Sequence, residues 1–217
     1  MAGRRASFFV ISTGSITRLL EIENELASYR VAPFDSVHAL GVVSINYARF
    51  ELTHVWMLAA VGNMKERQAA VISARTNPSD RVKLIETFIT HAEWSDEALA
   101  AIKHYLKAMG ILTTNRNVLV HSNMVEAWKD QTAIYSISRK GTTNIIRSSL
   151  EEIRQVADDL NEYFDFGHML SNYIASEVHR AALEAGMMVV SKVPPLPPMP
   201  FTLILASVQR RRPETLF

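Results

Sequence analysis

From Leu40 to Val61 one side of the chain repeats every three or four residues: Leu40, Val43, Tyr47, Phe50, His54, Met57 and Val61. A helix returns to the same face every 3.6 residues, so this spacing aligns all of them along one helix of about six turns. A strand would alternate at two. Asp35 stands where a helix cap is needed. Val42, Ile45, Leu52, Val55 and Trp56 add apolar surface outside the stripe. A helix that is apolar on more than one side must be covered on more than one side, by its own domain or by another copy of the chain. A homodimer is the economical expectation.

The remainder follows the same period. Leu19, Ile22 and Leu26 mark a short first helix ending near Tyr29, before a loop around Pro33. Met64 to Arg75 reads as a short helix, and Asn77-Pro78 is a cap followed by proline at the first helical position, opening a helix that runs to about His91. Ser95 caps the next, with Asp96 and Glu97 near the positive end of its dipole. Its inward stripe is Leu99, Ile102, Leu106, Met109, Thr113, Arg116 and Val120.

Between Thr132 and Arg147 the period falls to two. Ile134, Ser136 and Ser138 alternate with Tyr135 and Ile137, and Arg139-Lys140-Gly141-Thr142 forms a turn before Ile145 and Ile146. One small hairpin is expected. Ser148 and Glu151 then make a capping box for a helix carrying Leu150, Ile153, Leu160, Phe164, Leu170, Ile174 and Val178 on one face and ending near Gly186. The run Pro194-Pro195-Leu196-Pro197-Pro198-Met199-Pro200 cannot continue a helix and favours polyproline II. The expected fold is mainly all-α, a helical bundle with a small β-hairpin after the helix that carries Arg116. Residues 1–34 form an N-terminal helix and loop, 35–185 the helical domain, and 186–217 a linker-like, flexible, proline-rich tail.

Composition narrows the function. Hydrophobic residues at 48% suffice for a core, while 23 Lys and Arg against 22 Asp and Glu give a net charge of +1, so no strong overall field attracts nucleic acid or membrane. RNA binding would need a local patch, for which Lys129, Arg139, Lys140 and Arg147 are the candidates, with Tyr135 or Trp128 as stacking surfaces. Ordinary solvated charge and packed aromatics are the plainer readings. Arg210-Arg211-Arg212 is a further basic cluster. The chain has no cysteine, which removes disulfides, thiolate metal sites and a cysteine nucleophile together and suits a cytoplasmic location. Phe8-Phe9-Val10-Ile11 is too short for a signal-peptide core, and no apolar stretch spans a bilayer, so no membrane partner is expected.

The stripe turns polar at Arg116-Asn117-Val118-Leu119-Val120-His121. At about 100° per residue Asn117 falls within roughly 20° of Leu106, and His121 about 40° beyond it. An unpaired amide or imidazole against a core costs about 1–3 kcal/mol, so these groups need partners, water or ligand. Arg116 and His121 point about 140° apart on an ideal helix, which favours a site completed by two copies related by a two-fold axis. Glu51 would pair with Arg116 if the long helices pack antiparallel, although an exposed carboxylate is the simpler account. His54 reads as a core histidine. His91, His104, His168 and His179 show no HExxH spacing, so neither a metal nor a cofactor is expected.

Arg116-Asn117-x-x-x-His121, late in a long helix, resembles the Arg-x4-6-His motif of HEPN domains, whose residue after the arginine is often Asn, Asp or His. The resemblance covers about residues 35 to 183, and the hairpin would be a subfamily elaboration. It implies a dimeric, metal-independent endoribonuclease of toxin–antitoxin or other defence systems, with an antitoxin or other protein partner. Arg116 and His121 would cleave and Asn117 would position them. It equally implies an alternative, because some HEPN-like members are inactive modules that bind RNA or proteins. The tyrosine that one toxin branch carries two residues beyond the histidine is Asn123 here, so silencing by nucleotide modification of that tyrosine is not implied.

Overall fold

The computed structural model describes residues 34–121, 123–126, 131–137, 143–178, 192–203 and 206–207. The helix expected around Leu19 to Leu26 lies outside them, as do Trp128, Lys129, Arg139, Lys140, His179 and Arg210 to Arg212. The long stripe forms helix α1, Phe34–Val61. Val43, Phe50, Met57 and Leu58 on it are fully buried. Its end is a Schellman turn, in which Met64 N–H donates to the Ala59 carbonyl at 3.0 Å while Asn63 sits at φ 46°. Asparagine is among the few side chains that tolerate that left-handed conformation.

Helix α2 is Glu66–Arg75 and α3 is Pro78–Thr90. The Asn77 cap forms as expected, its Oδ1 accepting from Asp80 N–H at 2.9 Å. Helix α4, Asp96–His121, begins on Ser95, whose Oγ accepts from Ala98 N–H at 3.2 Å. The sheet follows: β1 Asn123–Glu126, β2 Gln131–Ile137, β3 Thr143–Ser149, and a distant β4, Ala206–Ser207. The order is β1-β2-β3-β4 with every pairing antiparallel. The expected hairpin is β2–β3, with Ile134 opposite Ile146 and Tyr135 opposite Ile145.

Helix α5, Leu150–Val178, runs along α1 in the most extensive contact of the fold, with α4 packed on both. Its capping box is Ser149 with Glu152, one residue later than the sequence suggests: Glu152 N–H donates to Ser149 Oγ at 3.1 Å, and Ser149 N–H to Glu152 Oε2 at 2.8 Å. β3 continues through Ser149, so the helix starts later. The stripe on α4 also differs. Ala98, Ala101, Ile102, Tyr105, Ala108, Met109, Leu112, Asn115 and Leu119 are buried, whereas Thr113 and Arg116 are half-buried and Val120 is exposed. Small alanines let α4 approach its neighbours, and this turns the buried face toward positions one residue earlier than the large aliphatics alone indicate.

Close approach is sharpest at Gly167 on α5. A Cβ there would meet the Tyr105 ring at 2.8 Å and Thr53 Cβ at 2.9 Å, where the Tyr105 hydroxyl and Thr53 Oγ1 are hydrogen bonded at 2.6 Å. Gly167→Val is therefore expected to destabilise the fold by about 1–3 kcal/mol through overpacking. The check is a lower urea midpoint at unchanged slope.

Residues 192–203 lie extended against α4 and α5. Pro194, Pro200 and Leu203 are buried, and Tyr163 and Asp159 of α5 and Asn115 of α4 bond to the backbone of this segment. The segment is not helical, in keeping with its prolines, but this part of the tail is docked rather than linker-like.

Candidate functional site

The last two turns of α4 carry Arg116, Asn117 and His121. The Arg116 guanidinium lies over the Tyr47 ring of α1, 4.9 Å from its centroid. Such a contact is worth about 0.5–2 kcal/mol and fixes the plane of the fork. Nη1 then donates to His121 Nε2 at 2.8 Å and to Asn117 Oδ1 at 3.1 Å. Nε is buried without a hydrogen-bond partner. His121, Asn117 and Val120 are exposed, so the pair sits on an aromatic floor and opens to solvent on its imidazole side.

Within one chain Arg116 and His121 meet, where their spacing favours a site completed by two copies. Their Cβ directions diverge, yet residues five apart differ by only about 7.5 Å along the axis, which an arginine arm spans. Helical side chains lean toward the N-terminus, which tilts His121 back over the preceding turn. One chain therefore assembles the pair, and its geometry alone gives no argument for a second copy. Asn117 is brought in as expected, although on an exposed rather than a core-facing position.

A guanidinium only donates, so in this contact Nε2 is the acceptor.

Glu51 and His54 occupy a separate network with a different cation. Arg81 of α3 donates from Nη1 and Nη2 to Glu51 Oε1, both at 3.2 Å, and Nη1 lies 3.1 Å from His54 Nδ1. Arg81 Nε donates to the Thr76 carbonyl at 3.4 Å. Pairing of Glu51 with Arg116 is thus replaced by pairing with Arg81, because α3 rather than α4 brings its cation against this part of α1. His54 is fully buried, and burial together with the nearby Arg81 charge lowers its pKa from 6.5 to about 3. Its Nε2 has no hydrogen-bond partner, and its ring meets Phe50 edge-on at 4.7 Å. It is a neutral core histidine.

Tyr47 links the two networks. Its hydroxyl lies 3.4 Å from Thr113 Oγ1. Burial raises its pKa, the Thr113 bond lowers it, and Glu51, Arg116 and Arg81 all act on it through space.

Sequence reading missed Arg81, Tyr47 as the floor, and Asn115. Arg81 had a signal, since it stands with Ile85 and Ile89 at four-residue spacing on the buried side of α3. Arg147 and Tyr135 fall in β3 and β2, whose backbone alone is described there. His104 Nε2 meets the Tyr163 hydroxyl at 2.8 Å, His91 caps the end of α3, and His168 packs against Trp56 and Phe164. None of these joins the Arg116 site. Among the described residues no three His, Cys, Asp or Glu side chains are grouped to hold a metal, and no helix is long and apolar enough to cross a membrane.

A cleft of about 240 Å³ lies elsewhere, lined by Glu93, Trp94, Ser95, Ala98, Tyr173 and Glu177 among others. Ala98 is about 27 Å along α4 from Arg116, and two carboxylates make a poor wall for a phosphate. The open Arg116 surface is therefore the better candidate. Comparison with protein-family models, with characterised proteins and with solved structures finds no match.

Proposed function

We propose that this chain is a HEPN-type endoribonuclease in which Arg116 and His121 cleave RNA without a metal ion and Asn117 positions them. The observation that carries the reading is the 2.8 Å contact between Arg116 Nη1 and an imidazole nitrogen at the solvent-facing end of a buried helix. RNA supplies its own nucleophile. His121 Nε2, once its bond to Arg116 opens, takes the ribose 2′-hydroxyl proton as O2′ attacks phosphorus. The P–O5′ bond breaks, and the leaving O5′ takes up the proton from the His121 imidazolium that the first transfer formed. Arg116 neutralises the non-bridging oxygens as the phosphorane forms, using paired donors that lysine lacks. The products are a 2′,3′-cyclic phosphate and a 5′-hydroxyl.

The test is incubation of purified protein with single-stranded RNA in the presence of a chelator, followed by end-group analysis. Cyclic phosphate ends support the mechanism, and 5′-phosphate ends exclude it. A toxin–antitoxin or defence role, with an antitoxin as partner, follows from the family reading and would place the protein in the cytoplasm.

The composite dimeric site remains part of the proposal, with a specific constraint. Val37, Ile45 and Leu52 of α1 are about half exposed or more, at 49%, 64% and 50%. Ile45 is about 200° around α1 from Tyr47, so a copy bound to that face would keep the two Arg116–His121 pairs apart. A shared cleft needs contact through Val120 and His121 instead. A second reading, a non-catalytic HEPN-like module that binds RNA or a protein partner, is favoured by the internal pairing of Arg116 Nη1 with His121 and Asn117. RNA bound but never cut would decide for it.

A further inference from the structure

Asn115 is a deeply buried polar residue of α4, at 1% exposure, and both ends of its amide bond to one distant segment. Nδ2 donates to the Phe201 carbonyl at 2.6 Å, and Oδ1 accepts from Leu203 N–H at 3.2 Å. A side chain here offers an extended backbone what a neighbouring strand would offer. Asp159 Oδ2 accepts from Phe201 N–H at 2.7 Å, and the Tyr163 hydroxyl donates to the Pro198 carbonyl at 3.0 Å. The proline-rich sequence suits such a seat. Pro194, Pro195, Pro197, Pro198 and Pro200 carry no N–H to satisfy, and the two N–H groups at Phe201 and Leu203 each meet an acceptor.

Arg116 is the next residue along α4. The helix ends at His121, and Asn123 already begins β1. Across the sheet, β4 pairs Ala206 with Ile145 and Ser207 with Asn144, only three residues beyond Leu203. Asn115 thus joins α4 to a segment that ends three residues before β4, the strand paired with β3.

We propose that Asn115 is a positioning residue, which anchors residues 194–203 and thereby fixes the end of α4 and the Arg116–His121 contact. The mechanical part stands by itself, and its consequence for cleavage rests on the nuclease reading above. Tyr163→Phe provides the comparison, because it releases the same segment at Pro198 without touching the last two turns of α4; the hydroxyl's other partner, His104, lies eleven residues before Asn115.

The experiment is amide hydrogen exchange by NMR on the full chain, with RNA cleavage measured on the same samples. In Asn115→Ala the amides of residues 116–121 exchange about ten- to a hundredfold faster, the scale of two lost buried hydrogen bonds. Tyr163→Phe speeds exchange in the segment but leaves residues 116–121 within about twofold. kcat falls by a similar factor in Asn115→Ala with KM unmoved, and does not fall in Tyr163→Phe. Should Asn115→Ala fail to fold, Leu203→Pro removes the N–H that Asn115 accepts together with a buried leucine side chain and leaves the sequence of α4 intact; Leu203→Ala controls for the lost side chain, and the same acceleration is expected in Leu203→Pro beyond that of Leu203→Ala. Equal exchange at residues 116–121 in the Asn115→Ala or Leu203→Pro variant and in Tyr163→Phe overturns the proposal. Accelerated exchange in a protein that cuts no RNA keeps the anchoring role and removes the nuclease reading instead.

Discussion

Exchange of His121 for alanine is expected to lower RNA cleavage by about a hundred- to ten-thousandfold, the range that positioned acid–base groups contribute. Stability should barely move, because His121 is exposed at the end of α4 and its contact with Arg116 faces water. Circular dichroism and melting temperature therefore serve as controls within the same experiment. Arg116→Lys is the sharper variant. Lysine keeps the charge but not the fork that reaches His121 and Asn117 from one nitrogen while lying over Tyr47. A loss of about a hundred- to a thousandfold is expected if charge on the phosphorane is met by paired donors. Wild-type cleavage by His121→Ala would remove the proposed chemistry altogether, and full activity in Arg116→Lys would reduce the arginine to a simple counter-charge.

The second large effect is on stability and comes from His54. Its imidazole is held neutral in the fold by burial and by Arg81, with a pKa of about 3, against about 6.5 when the chain is unfolded. The unfolded chain thus binds a proton that the folded chain refuses. Stability from this group is complete above about pH 6.5 and declines as pH falls from there toward 3, by about 1.4 kcal/mol per unit for one proton. Arg81, Glu51 and Tyr105 are the neighbours that set its surroundings. Urea midpoints measured between pH 7 and pH 4.5 should fall steeply in the wild type. His54→Asn, which retains an acceptor for Arg81 but cannot titrate, should show a shallower slope despite a lower starting stability. Parallel slopes in the two proteins would refute the assignment.

Helical punctuation was legible because it is local chemistry. Asn77 before Pro78 and Ser95 before Asp96 act through their own backbone neighbours, and both caps form. The Ser149–Glu152 box was displaced by one residue because the preceding strand, a non-local pairing, decides where the helix can start. β1 and β4 carried little pattern, being four and two residues long. At the site, Arg116, Asn117 and His121 stood out as polar residues beside an apolar stripe, whereas their mutual geometry depended on how far an arginine arm reaches, which Cβ directions do not give. Asn115 was invisible for a related reason: a buried amide is intelligible only once its partners are known, and those lie 86 and 88 residues away.

That separation bears on how the molecule is made. A ribosome releases Asn115 long before Leu203, and a chain halted in between holds α4 with its buried amide unmet and the sheet without β4. Loop closure over so many residues comes late on any folding route. An end of α4 that needs this clasp is completed only after residues 192–203 have been made and have folded back onto it.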